Sequence, residues 1–362
     1  MLNKYHFFTV FISYIPSTFL GAPEEGTELS VLPAHRLLME GCGYQAVRLT
    51  TLGCLGGLLL SAAMLLPFLL VITPAYELIS PHMHWLLISV TVAMVLLERS
   101  WKGILWATLI FIVSGVLGLL TLDTNFMRGD AALMPLLSGL FGASVLLPSI
   151  TQESALPEQR VDNEPIDLRA TAKPLCAGTA VGALTGIIPG VGPSQGTVMA
   201  QLATRSSGAE KFLVSVSCVN TSKALFSFVA LYAIGRARSG AAVAVGEIME
   251  VGASELIFLV GIALLAGGIA AVLQLKLGRL AARHIDRLPY RALCAAVLLL
   301  IAGLTVYYSG LAGLPVLATA TAIGLLPAVT KVKRTHCMGV IMVPCILYFA
   351  GAKDGVMAAI GL

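Results

Sequence analysis

The sequence predicts an all-α, polytopic integral membrane protein made of two inverted-topology repeats, with a re-entrant Pro-Gly hairpin opening the second repeat. Three observations predict it. The 362-residue chain is 57% hydrophobic and 12% charged, with a mean hydropathy of +0.89, whereas soluble domains are about 45–50% apolar and about 25% charged. Residues 49–73, LTTLGCLGGLLLSAAMLLPFLLVIT, hold no charge, and about 20 apolar residues suffice to cross a bilayer. Lysine and arginine gather on particular short loops, and such loops face the cytoplasm.

The first segment, near 5–20, has one lysine before it, no small-residue cleavage site, and Pro16 within it. It reads as a membrane segment of the mature protein rather than a signal peptide. Apolar segments follow at about 46–73, 84–98, 103–121 and 131–150, then at about 173–189, 193–204, 212–234, 254–275, 291–309, 311–329 and 336–350. Several are too short to span alone. Between the two groups lies the polar, proline-interrupted stretch TQESALPEQRVDNEPIDLRATAK, residues 151–173, read as a cytoplasmic linker. It separates a first membrane repeat, 1–150, from a second, 174–362.

Moving the first half by 214 positions lays Gly21 on Gly235, Gly26 on Gly240 and Gly53 on Gly267. Charge tests the relation independently. In the second half, KLGRLAARHIDRLPYR (276–291) and KVKR (331–334) are basic, while the SG between two intervening spans is not. In the first half the equivalents of the basic loops, 74–84 and 122–130, hold one arginine between them, and the intervening loop RSWK is basic instead. The positive bias has changed sides, so the halves have opposite orientations, the signature of a secondary transporter. The same arithmetic places the counterpart of residues 172–211 ahead of Met1. The first repeat therefore lacks its opening hairpin, or the sequence starts late.

That counterpart matters because 186–197 reads GIIPGVGPSQGT. Two short apolar arms flank PGVGPS, and neither arm can continue through it as a helix. Broken backbone at membrane depth is tolerated where it is buried in protein or lines a cavity. Pro193 suits the first position of the second arm, whose free N–H groups and positive dipole end attract an anion. Ser194, Gln195 and Thr197 add side-chain donors. Gly186, Pro189, Gly190, Gly192, Pro193, Ser194, Gln195 and Thr197 are thus candidates to bind a carboxylate, and freed carbonyls on the first arm could hold Na⁺ or a proton carrier. A proline kink or a tight helix–helix turn is the plainer alternative. A phosphate-binding loop fails for want of G-K-[ST].

Other polar residues carry two readings each. Glu24, Glu25 and Glu28 follow Pro23: one could carry a coupling proton or bind a cation, or all three could be solvated acids capping the next helix. Asn220 and Ser222 lie in an apolar segment, as site residues or as interhelical hydrogen bonders. Lys223 could neutralise a carboxylate or snorkel to an interface. His35 and Arg36, like Arg236 and Arg238, could contact an anion or sit at the membrane interface, the better reading, and His82, His84 and His284 read as loop residues. The seven cysteines include no C-x-x-C and read as buried thiols. Nothing has the pattern of a hydrolase, a metal site or a nucleic-acid surface, so no enzyme and no cofactor beyond a coupling Na⁺ or H⁺ is expected.

ALTGIIPGVGPSQGTVMAQL resembles the G-x-x-P-G-x-G-P signature of the large permease subunit of tripartite tricarboxylate transporters, the TctA family. YIPSTFLGAPEEGTELSVLPAHRLLMEGCGYQAVRLTTLGCLGG is similar to that family's other hallmark region. GAPEEGTELSVLPAHR and LYAIGRARSGAAVAV look like a shorter archaeal branch. The resemblance covers most of the chain. It implies a multi-pass permease of a prokaryotic plasma membrane, importing an organic anion of di- or tricarboxylate type on an ion gradient. It also implies a small membrane subunit and a soluble binding protein as partners; a homo-oligomer stays open. Pro16, Ser17, Gly21 and Pro23 would join the 186–197 hairpin, Asn220 and Ser222 in a central site. The chain departs from the family in its absent first hairpin and in Glu24, Glu25 and Glu28, which stand where small and hydroxylic residues are usual. A non-transporting scaffold subunit or a degenerate permease remnant is the alternative.

Overall fold

The computed structural model describes residues 6–21, 27–98, 100–122, 129–151, 157–161, 165–188, 192–204, 208–237, 239–285 and 290–360. Every regular element among them is helical. In chain order these are α1 (His6–Ile12), α2 (Tyr14–Phe19), α3 (Val31–Met39), α4 (Gly43–Ala63), α5 (Leu65–Ile79), α6 (Met83–Leu96), α7 (Trp101–Leu122), α8 (Gly129–Leu137) and α9 (Ser144–Thr151). Then follow α10 (Leu168–Thr185), α11 (Pro193–Thr204), α12 (Ala209–Ile234), α13 (Gly240–Ile248), α14 (Ala253–His284), α15 (Tyr290–Ser309), α16 (Gly313–Thr330), α17 (Gly339–Phe349) and α18 (Lys353–Ile360). A π-helical turn, Ser138–Ala143, joins α8 to α9.

Among the described residues seven helical stretches are long and apolar enough to cross a membrane: α4, α7, Ala131–Pro148, α12, α14, α15 and α16. The pair α5 and α6 would make an eighth, bent by 91°. The protein is a polytopic, all-α membrane protein.

Two segment boundaries differ from expectation. The 46–73 run breaks at Met64, between α4 and α5. Pro67 has no N–H for the Ala63 carbonyl and its ring crowds it, so α4 cannot run on. Residues 276–284, expected in a loop, form the last turns of α14. Leucine, alanine, lysine and arginine there are strong helix formers, and Gly278 lets α14 close on Val47 of α4. His284 is therefore helical rather than in a loop, and so is His84, in the first turn of α6. Helix α10 likewise begins within the polar stretch, at Leu168, where the Asp167 carboxylate accepts from the N–H groups of Arg169 and Ala170.

The chain folds as two compact units. The first takes Met1–Phe19, Leu32–Pro81 and Leu156–Arg287; the second takes Leu20–Val31, His82–Ala155 and Leu288–Leu362. Each unit thus draws a piece from either side of the polar stretch. In the first, α12 packs along α4 while α1 packs along α14. In the second, α7 packs along α17 while α16 packs on the π-helical turn. From Leu156 on, the polar stretch belongs to the first unit. Gln159 is buried there, its carbonyl oxygen accepting from the Gly43 N–H (3.0 Å) and its amide donating to the Leu38 carbonyl (3.0 Å).

Candidate functional site

Helix α12 is the centre of the first unit. Between Leu213 and Ala230 only Lys223 is less than fully buried. Small residues make that density workable, because in lipid, helix association relies on close backbone approach and interhelical hydrogen bonds. On one side, Gly53 and Gly57 of α4 lie against Val214, Ser217 and Cys218. On the other, Gly178, Gly182 and Gly186 recur every four residues down α10 and meet Cys218, then Val219 and Ser222, then Phe226 and the Lys223 carbonyl. A Cβ on Gly186 would stand 2.8 Å from Phe226 Cβ, so these contacts admit no side chain. Ser222 sits between the two sides: its hydroxyl donates to the Gly57 carbonyl at 3.4 Å, an interhelical hydrogen bond. Asn220 is buried on the same helix.

The glycine register sets how deep α10 reaches. Helix α12 has 26 residues, about 39 Å at about 1.5 Å per residue. Gly186 closes α10 opposite Lys223, about 21 Å from the α12 start by the same rise. The arm therefore ends near the middle of α12. Its last turn tightens, with the N–H groups of both Ile187 and Ile188 donating to the Leu184 carbonyl. Pro189 and Gly190 lie outside the described residues.

Helix α11 comes back beside α10. Gly196 lies against Thr185 and Val181 of α10 and Val219 of α12, with its absent Cβ only 2.9 Å from Thr185 Cγ2. Pro193, Ser194, Gln195 and Thr197 are all buried. Gln195 folds its side chain back so that its carbonyl oxygen accepts from the Gly192 N–H at 2.8 Å, half of a capping box. This leaves the Gln195 amide nitrogen buried with no hydrogen-bond partner among the described residues. A buried donor left unmade costs about 1–3 kcal/mol, and it stands in the first turn of a helix whose free N–H groups already favour negative charge. The Thr197 hydroxyl, by contrast, donates to the Pro193 carbonyl at 2.7 Å.

The hairpin arms and the 220–222 segment thus come together within one unit. The N-terminal candidates have other neighbours. Pro16 and Ser17 are on α2, which packs on α4 and α14, and the Ser17 hydroxyl donates to the Tyr14 carbonyl at 3.1 Å. Gly21 takes a left-handed backbone, φ 61°, beside Leu146 and Val31 in the second unit. Pro23, Glu24 and Glu25 lie outside the described residues, as does the side chain of Glu28.

A polar cluster that sequence reading missed lies in the second unit. Glu98 Oε1 accepts from the Lys333 N–H at 3.1 Å and hydrogen-bonds the buried imidazole Nε2 of His336 at 2.9 Å. His336 Nδ1 has no partner among the described residues. Arg334 donates to the Ser144 hydroxyl at 3.1 Å. Burial pushes the His336 pKa down, and the hydrogen bond and charge of Glu98 pull the other way. Glu98 immediately precedes RSWK and Lys333 belongs to KVKR, so Glu98 ties the end of α6 to the basic stretch before α17. No local signal links residues 238 positions apart. The glycine rows were recoverable, since four-residue spacing of small residues is a known helix-packing pattern.

The family profile described as "Tripartite tricarboxylate transporter TctA family" matches residues 5–339. An uncharacterized protein of Methanocaldococcus jannaschii is 25% identical over 350 residues, covering 94% of this chain and 85% of that protein. No solved structure matches.

Proposed function

Given that the chain belongs to the tripartite tricarboxylate transporter TctA family, we propose that it is a secondary-transport permease for an organic anion of di- or tricarboxylate type. The observation that carries this reading is the unpartnered Gln195 amide, buried in the first turn of α11. A carboxylate oxygen is the acceptor it lacks, and the N-terminus of α11 favours the same charge. The hairpin of α10 and α11 would hold the substrate near the bilayer midplane, as broken helices do in transporters. Freed carbonyls at the end of α10 would carry a coupling Na⁺ or H⁺, and Glu24 or Glu25 would be a second place for it.

Reciprocal packing supports reading 1–150 and 174–362 as inverted repeats: α4 on α12 mirrors α14 on α1, and α7 on α17 mirrors α16 on the α8–α9 turn. The tie between Glu98, just before RSWK, and Lys333 of KVKR fits the same topology, both basic stretches being cytoplasmic. In this reading the protein is a multi-pass protein of a prokaryotic plasma membrane. A small membrane subunit and a soluble binding protein complete the tripartite system.

The test uses purified protein in detergent, thermally unfolded against a panel of mono-, di- and tricarboxylates. Wild type is expected to gain stability with one class of carboxylate, and Gln195→Met is expected to lose that gain when each variant is read against its own ligand-free Tm, since Met also uncaps the Gly192 N–H. No response to any anion, with no uptake into proteoliposomes, would favour the non-transporting scaffold or remnant.

A further inference from the structure

The last turns of α14 and the α1–α2 pair enclose an open groove of about 540 Å³, within the about 300–1,000 Å³ usual for small-molecule sites. One wall is Ile12, Ile15 and Pro16; the other is Leu277, Leu280 and Ala281, with His284 at its end. The first wall is bent because α1 stops at Ile12 and α2 restarts at Tyr14, and Pro16 cannot donate to the Ile12 carbonyl. The second wall is one helical face, since spacings of three, four and seven residues share a side.

Among the described residues, the last turns of α14 carry basic side chains and no acidic one. Lys276 and Arg283 are exposed, each one residue before a lining residue, and neither is in a salt bridge among the described residues. Arg279 is taken up elsewhere, over the Tyr44 ring at 5.3 Å and donating to its hydroxyl at 3.2 Å. His284 donates from Nδ1 to the Leu280 carbonyl at 2.9 Å, which leaves Nε2 as an acceptor for a headgroup hydroxyl. A small organic anion has no use for an aliphatic trough, and a neutral lipid has none for the cations. An amphiphile with an acyl chain and an anionic head satisfies both, and basic pockets at membrane-helix ends select such lipids.

We propose that this groove is a binding site for an anionic phospholipid, one acyl chain lying between Ile15 and Leu280 and the phosphate head meeting Lys276 and Arg283. The long basic side chains reach the head by snorkelling. This inference does not depend on the transport reading.

Native mass spectrometry of the purified chain, given equal phosphatidylglycerol and phosphatidylcholine with the same acyl chains, tests it. Phosphatidylglycerol is expected to be retained over phosphatidylcholine by about fivefold or more, the factor that follows from membrane-surface attraction of a single Lys or Arg. The exposed double variant Lys276→Gln/Arg283→Gln is expected to bind both lipids equally. Leu280→Asn, also exposed, is expected to lose both. Equal retention of the two lipids by wild type, unchanged binding in Leu280→Asn, or displacement of lipid by inorganic phosphate alone would overturn the proposal.

Discussion

Replacing Gly182 by alanine should loosen the α10–α12 seam, while the same change at Gly261 should tighten the protein. At Gly182 the new Cβ would stand 2.8 Å from the Val219 carbonyl oxygen, with Ser222 Cβ closer still. Carbon contacts settle at about 3.5–4.0 Å, so the helices must part by about 1 Å. Overpacking of this kind costs about 1–3 kcal/mol, against a helix-propensity gain of about 0.8–1.0 kcal/mol for alanine over glycine. The net expectation is a loss of about 1 kcal/mol. At Gly261, on an exposed face of α14, nothing lies within 4 Å of the added atom, so only the gain of about 0.8–1.0 kcal/mol remains. Thermal unfolding of the two variants in detergent, side by side, reads the contrast: Tm falls for Gly182→Ala and rises for Gly261→Ala. If Gly182→Ala raised Tm as Gly261→Ala does, the close approach of α10 to α12 would be wrong, and with it the depth assigned to the hairpin.

Three further outcomes follow from particular contacts. Burial holds the His336 pKa down, below the unfolded value of about 6.5. On acidification the unfolded chain therefore takes up the proton first, so the stability this group contributes is complete above about pH 6.5 and is lost as pH falls toward the folded value. Tm measured from pH 8 to 5 should fall less steeply in His336→Gln than in wild type, and an identical slope would count against a buried imidazole there. Gln159→Ala removes both the acceptor of the Gly43 N–H and the donor to the Leu38 carbonyl; each buried group left unmade costs about 1–3 kcal/mol, and limited proteolysis should then cut the 151–173 stretch faster. Asp167→Ala deletes the α10 cap at about 1 kcal/mol, read as faster amide exchange confined to the first turn of α10.

Much of the candidate site was legible before folding. The helix break around Pro189 to Pro193 follows from what proline and glycine do to any helix, and Pro193 does open α11. The surroundings of Gln195 were legible only in part. Its residue type marked it as a donor, but the pairing of its carbonyl oxygen with Gly192 leaves the nitrogen unpartnered, and that depends on the backbone path. The choice at Ser222 was likewise undecidable from sequence, since it turns on whether a carbonyl such as that of Gly57 comes within reach. Glu98 and His336 gave no sign of each other, because nothing local constrains residues so far apart.

By itself the sequence determined the class of protein, the start of α11 at Pro193 and the stretches that carry positive charge. Each of these depends on the transfer of a short segment from water to lipid, or on the chemistry of a few neighbouring residues. Only the tertiary structure decided which helices share a unit, how far α10 runs down α12, and which polar groups are left without partners. Those depend on distances between segments remote in the chain. The glycine rows that set them act only when a second helix is there to close on them.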